Sequence, residues 1–130
     1  MNFKNILMIA VLFLFSCSNE DDGVLNTTKF KIGNNYTLDE TKSLEITKIE
    51  DSRCPIGVTC VREGEAKVFF RLIEGNTIKT DSTFVIGKGV KIDTIFTNLI
   101  VNITAVNPFP EKDKTVKQSD YTLEMKVTKL

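Results

Sequence analysis

From Thr28 to the C-terminus, apolar residues recur at every second position rather than every third or fourth. Phe30 and Ile32 alternate with lysines, and Leu44 and Ile46 alternate with Glu45 and Thr47. Ala66, Val68, Phe70 and Leu72 lie on one side of a run whose other side is Lys67, Phe69 and Arg71. Leu99, Val101, Ile103 and Ala105 form a third such set, and Tyr121, Leu123, Met125 and Val127 a fourth. A period of two in runs rich in β-branched and aromatic residues predicts strands with one buried face. Gly33-Asn34-Asn35, Glu74-Gly75-Asn76, Gly87-Lys88-Gly89 and Asn107-Pro108-Phe109-Pro110 supply turn chemistry between them. From residue 17 onward no long window carries a helical stripe. The expectation is an all-β domain over residues 28–130, with about seven or eight antiparallel strands in a β-sandwich, Ig-like or partly open barrel. No internal repeat or second domain is visible.

The first residues break this pattern. Ile6 to Phe15, "ILMIAVLFLF", is ten apolar residues without interruption, after a short segment carrying Lys4. As a helix it spans about 15 Å, half of a hydrocarbon core, which fits a signal-peptide apolar region rather than a membrane span. It ends in Leu14-Phe15-Ser16-Cys17, which resembles a bacterial lipobox. That resemblance implies removal of residues 1–16 and acylation of Cys17, with several lipid tails anchoring the chain to a membrane. Residues 17–27 then read as a tether. Its Ser18-Asn19-Glu20-Asp21-Asp22-Gly23 is acidic and lacks apolar content, and it resembles the export signal of Bacteroidetes-type lipoproteins. Loss of Lys4 leaves a net charge of about −1, which gives no field suited to nucleic acid or an anionic surface.

The chain has three cysteines, an odd number in an exported protein. Acylation of Cys17 leaves Cys54 and Cys60 as a pair outside the reducing cytosol. A catalytic dithiol usually has two intervening residues and a helix N-terminus; here five intervene, between segments that read as strand. A zinc site needs four ligands, and copper or iron centres favour imidazole; the chain has no histidine. No cofactor or metal is expected, and the pair reads as a disulfide. Closing a loop of roughly seven residues stabilises by about 2.4 kcal/mol on the chain-entropy model. Asp51 and Arg53 project to the same side of an extended segment. Asp51 is placed to accept backbone N–H groups, and Arg53 to bridge to it or to Glu63 or Glu65. The sharper reading makes Arg53, Pro55, Ile56 and Val58 a preorganised partner-binding loop.

"DSRCPIGVTCVREGEAKV", Asp51 to Val68, resembles the hallmark of a family of small bacterial lipoproteins. Its pattern is Asp-Ser-Arg-Cys-Pro, four variable residues, Cys, an aliphatic residue, then commonly Trp-Ala-Gly. Asp51, Ser52, Arg53, Cys54, Pro55, Cys60, Val61 and Gly64 match; Arg62 and Glu63 stand where the tryptophan and alanine would be. The resemblance implies a fold and an envelope location, without an agreed activity. Asp81-Ser82-Thr83 and Asp93-Thr94-Ile95 resemble the O-glycosylation tripeptide of the same bacteria, with Ser82 and Thr94 as acceptors.

The absence of histidine removes Ser-His-Asp and Cys-His catalysis in their usual forms. Two tyrosines and no tryptophan make a poor sugar-stacking platform. The functional expectation is a non-catalytic accessory or interaction module, lipid-anchored in the cell envelope at the outer membrane, with an envelope protein as partner. An inhibitor-type or ligand-binding module using the Cys54–Cys60 loop is the alternative. A carboxylate-only hydrolase, pairing Asp51 with Glu63 or Glu65, is a third reading.

Overall fold

The computed structural model describes Leu25 and residues 29–130. Eight strands follow one another: β1 (Lys29–Lys31), β2 (Asn35–Thr37), β3 (Lys42–Asp51), β4 (Glu65–Glu74), β5 (Thr77–Ile86), β6 (Lys91–Ile95), β7 (Leu99–Asn107) and β8 (Thr122–Lys129). They form two four-stranded antiparallel sheets, β1-β8-β7-β6 and β2-β3-β4-β5. The predicted all-β sandwich is therefore observed. Its strand order favours the flattened, partly open barrel over the Ig-like alternative. Neighbours in sequence are neighbours around the perimeter, without a Greek-key crossing, because short turns join most consecutive strands. The predicted signal segment, Cys17 and the tether lie outside the described residues, apart from Leu25. That residue is half-buried and packs against the core, so it belongs to the edge of the domain.

The inward positions of the alternating runs meet between the sheets. Phe30, Leu44, Ile46, Val68, Phe70, Val101, Ile103, Leu123 and Val127 are all fully buried. Each such aliphatic or aromatic side chain contributes roughly 1.5–3 kcal/mol relative to exposure. Two β-bulges correct the simple alternation. One leaves Thr47 unpaired between Ile46 and Lys48, and the other leaves Thr104 between Ile103 and Ala105. Each extra residue resets the phase, so Ile49 turns inward on β3. On β7, Val106 is buried, whereas Ala105, expected inside, is only half-buried. Both bulges use the same device. The Thr47 hydroxyl donates to the Phe69 carbonyl at 3.3 Å, and the Thr104 hydroxyl donates to the Glu124 carbonyl at 3.1 Å. Each threonine hydroxyl thus engages a carbonyl of the adjoining strand where the ladder is disrupted.

The two sheets meet at open seams closed by side chains. Between β5 and β6, Thr83 donates its hydroxyl to Asp93 at 2.5 Å, and the Phe96 N–H donates to Asp81 at 2.8 Å. Between β1 and β2 the chain crosses sheets at Gly33, whose φ is +83° and whose N–H donates to the Ile46 carbonyl. The turn from β6 to β7 holds Phe96 and Thr97 at φ of 52° and 67°, left-handed values that few non-glycine residues adopt.

Strand directions sort the connections. The β3–β4, β5–β6 and β7–β8 loops lie at one end of the sandwich, and the β2–β3, β4–β5 and β6–β7 turns at the other. Strand β1 pairs Lys29 with Glu124 and Lys31 with Thr122, so it runs toward the loop end beside the first residues of β8.

Candidate functional site

The loop end is organised around the cysteine segment. Hydrogen bonding between β3 and β4 continues past the strand ends: Ser52 N–H donates to the Glu65 carbonyl at 2.8 Å, and Cys54 N–H to the Glu63 carbonyl at 2.7 Å. Gly64 permits this approach. Its φ is +69°, and a Cβ there would lie 2.0 Å from the Ser52 carbonyl oxygen, so no other residue fits. Cys54 and Cys60 are joined by a disulfide with a Cα–Cα distance of 5.9 Å. Inside the ring, Val58 N–H donates back to the Pro55 carbonyl at 3.1 Å, and Gly57 takes φ +90° at the reversal.

The ring is stitched to the β7–β8 connection. Ile56 N–H donates to the Pro110 carbonyl, and Lys112 N–H donates to the Ile56 carbonyl, both at 2.9 Å. Beneath them lies Arg53, 4% exposed. Its Nε and Nη2 donate to the two oxygens of Asp51 at 2.8 and 2.7 Å. Its Nη1 reaches the Val106 carbonyl at 2.9 Å, and Nη2 also reaches the Pro108 carbonyl at 3.2 Å. The guanidinium stacks 4.5 Å from the Phe109 ring centre, and the Lys88 ammonium approaches the same ring at 5.1 Å. One cation thereby joins the end of β3 to β7 and to the loop after it. A planar fork with several donors suits this task, whereas a lysine supplies a point charge.

Asp51 is saturated from its other side. Tyr121 donates its hydroxyl to Asp51 Oδ2 at 3.1 Å, and the Arg53 N–H donates to Oδ1 at 3.1 Å. Burial, followed by the Asp51 charge and hydrogen bond, pushes the Tyr121 phenol up to about 12. Gln118 completes the loop packing. Its side-chain amide accepts from the Ile49 N–H at 3.0 Å and donates to the Ile49 carbonyl at 2.8 Å. Strand β2 does not extend this far along β3, so the amide takes the place of a missing strand neighbour.

The residues grouped as a partner-binding loop therefore separate. Ile56 and Val58 are 51% and 43% exposed, while Pro55 is half-buried. Arg53 faces inward and is consumed by the clasp, so it does not belong to the outer surface. It pairs with Asp51 rather than with Glu63 or Glu65, whose residues are exposed. Both oxygens of Asp51, the carboxylate considered for hydrolysis, accept hydrogen bonds from Arg53, and one also from Tyr121. Among the described residues, no group of three Cys, Asp or Glu residues is placed to hold a metal ion. A shallow cleft of about 310 Å³ beside the ring is lined by Pro108, Phe109, Glu111, Lys114, Val116 and Asp120, among others.

The two tripeptides resembling glycosylation sites fall on β5 and β6. Their aspartates, Asp81 and Asp93, are the carboxylates that close the seam between these strands. Thr94 is exposed and Ser82 half-buried. Sequence reading did not single out Phe109, Gln118 or the Tyr121 hydroxyl for the loop end. Their partners lie about fifty to seventy residues away, and only the Pro108-Phe109-Pro110 turn signal hinted at a special connection.

No family model matches the chain, and comparison with curated proteins and with solved structures likewise gives no match.

Proposed function

We propose that this chain is a lipid-anchored, non-catalytic interaction module of a bacterial cell envelope, presenting its disulfide-closed loop end to a protein partner. The reading is supported chiefly by the construction of that end. A ring of seven residues is closed covalently, held by backbone hydrogen bonds to Pro110 and Lys112, and seated on the Arg53–Asp51 clasp. Ile56 and Val58 are left exposed on this fixed base. Apolar side chains on a prearranged loop bind with little ordering cost.

The direction of β1 supports the same reading. The strand runs toward the ring end of the sandwich. An acyl group on Cys17 and a short tether then leave the ring pointing away from the membrane.

Two measurements test the proposal. Cys17→Ala moves the protein from the membrane fraction to the soluble one while its circular dichroism is retained; persistence in the membrane fraction overturns the anchor. A photoreactive side chain at Val58 captures an envelope protein in living cells, and Ile56→Ser abolishes capture without unfolding the domain. Capture that is unaffected by Ile56→Ser overturns the ring as the binding element.

A further inference from the structure

Immediately after the ring the chain makes a second exposed projection. Val61 is wholly exposed, more so than Ile56 or Val58, and Arg62 and Glu63 beside it are exposed as well. Arg62 enters none of the ion pairs among the described residues, although Glu63 and Glu65 follow it closely along the chain. A surface arginine alone has no particular meaning. What distinguishes this one is how the chain is held on its two sides.

Both sides are fastened to one residue. Before Arg62, Cys60 is bonded covalently to Cys54. After it, the Glu63 carbonyl accepts the Cys54 N–H at 2.7 Å. The next two carbonyls, of Gly64 and Glu65, accept from the N–H groups of Gly87 and Ser52 at 3.1 and 2.8 Å. Cys54 itself follows Arg53, whose buried guanidinium is tied to Asp51 and to two carbonyls of the β7 end. Val61 and Arg62 are thus carried on a narrow arch with one covalent foot and one hydrogen-bonded foot.

Such an arch can enter the cleft of a protease without being consumed. A serine protease's hydroxyl oxygen attacks the carbonyl carbon of the residue in its specificity pocket while the catalytic histidine takes the hydroxyl proton. The peptide C–N bond breaks, and the histidine passes that proton to the leaving amine. In a flexible substrate the amine departs and water hydrolyses the acyl ester. Here the bond is Arg62–Glu63, and after cleavage Glu63 stays on Cys54 by its carbonyl while Arg62 stays there through Cys60. The Glu63 amine remains beside the ester, returns its proton to the histidine, attacks the ester carbonyl and expels the serine oxygen. Held proximity of this kind favours re-formation of the peptide bond over hydrolysis. Arg62 selects the class of enzyme, because a trypsin-type pocket carries a carboxylate at its base and a guanidinium meets it with paired hydrogen bonds. Resting on the reading of the loop end as a partner-binding surface, we infer that the Val61–Arg62 arch inhibits a serine protease of trypsin-like specificity, with Arg62 filling its pocket. A prearranged loop suits this role, since protease–inhibitor contacts of ordinary size are among the tightest known.

The test sets the full chain, purified in detergent, against trypsin cleaving a chromogenic arginine amide. The wild type inhibits competitively at submicromolar concentration, and its Arg62–Glu63 bond stays largely intact after long incubation. Arg62→Ala raises the inhibition constant at least about thirtyfold, the loss expected of a central arginine anchor. Arg62→Phe moves inhibition from trypsin to chymotrypsin, a switch that damage to the fold does not produce. Cys54→Ser with Cys60→Ser turns the chain into a substrate cut after Arg62. A wild type that leaves trypsin uninhibited, or that is cut after Arg62 and released, overturns the inference. So does inhibition indifferent to Arg62→Ala, an Arg62→Phe chain inactive against chymotrypsin, or a serine double variant that inhibits as well as the wild type. Capture from Val58 in cells separates the two readings. Its persistence without trypsin inhibition overturns the protease alone, whereas loss of both overturns the loop end as a partner-binding surface.

Discussion

Arg53 and Asp51 meet through two parallel hydrogen bonds of 2.8 and 2.7 Å, with side chains only 2% and 5% exposed. Desolvating such a pair offsets much of its attraction, so its presence alone is weak evidence of net stabilisation. Removing one partner is different, because it strands a buried charge. Arg53→Ala is expected to cost about 3–5 kcal/mol, with Asp51 left facing the Tyr121 hydroxyl. Arg53→Lys is expected to recover only part of this, since an ammonium cannot span Asp51, Val106 and Pro108 together. Urea denaturation of the three proteins measures both effects.

Opening the disulfide acts on a smaller region. Replacing Cys54 and Cys60 by serine removes about 2.4 kcal/mol of unfolded-state constraint on the chain-entropy model. The Ile56 bonds to Pro110 and Lys112 then lose their fixed base, so hydrogen exchange at Lys112 N–H rises well above that at Val68 or Val101. Equal protection at Lys112 in both proteins would show that the two loops hold each other without the ring.

Asp93 gives the domain an acid-sensitive seam. The Thr83 hydroxyl, donating to its carboxylate, holds its pKa below the ordinary 3.8, with the Thr94 N–H and Lys91 acting in the same direction. A carboxylate depressed in the folded state stabilises fully above its unfolded pKa, and loses that contribution as pH falls through the folded value. The β5–β6 seam is therefore expected to weaken as pH drops below about 4. Asp93→Asn should lower stability at neutral pH and flatten the acid limb of a pH–stability curve.

At the alkaline side the sign is reversed. The Tyr121 phenol is raised from 10.0 to about 12, so its contribution is complete below pH 10 and is lost as pH rises toward 12. Tyr121→Phe removes this dependence and the hydrogen bond to Asp51. Ultraviolet difference titration is expected to show one high-pH phenolic transition missing in the variant.

The core strands were legible because their signal is local. Ala66 to Leu72 and Tyr121 to Val127 carry strict alternation, and their inward residues are those buried in the sandwich. The phase error at Ala105 arose because a bulge is a relation between two strands. Thr104 is extra only when β7 is laid against β8. The turn after β6 was hidden because Phe96-Thr97-Asn98 contains neither glycine nor proline; its backbone is held from β5 by Asp81. At the loop end, the spacing of Asp51 and Arg53 foretold their pairing. The further reach of Arg53 to Val106 and Pro108 was not legible, because those acceptors are main-chain groups that any residue could provide.

The direction of β1 toward the cysteine-ring end has a mechanical meaning. Load applied between Lys29 and the ring is directed along the strands, whereas the β1–β8 hydrogen bonds lie across them. The three paired residues of β1 therefore resist in shear, sharing tension together instead of peeling apart one at a time. Phe30, anchored in the interior, adds the drag of extracting an aromatic ring to any pull on β1.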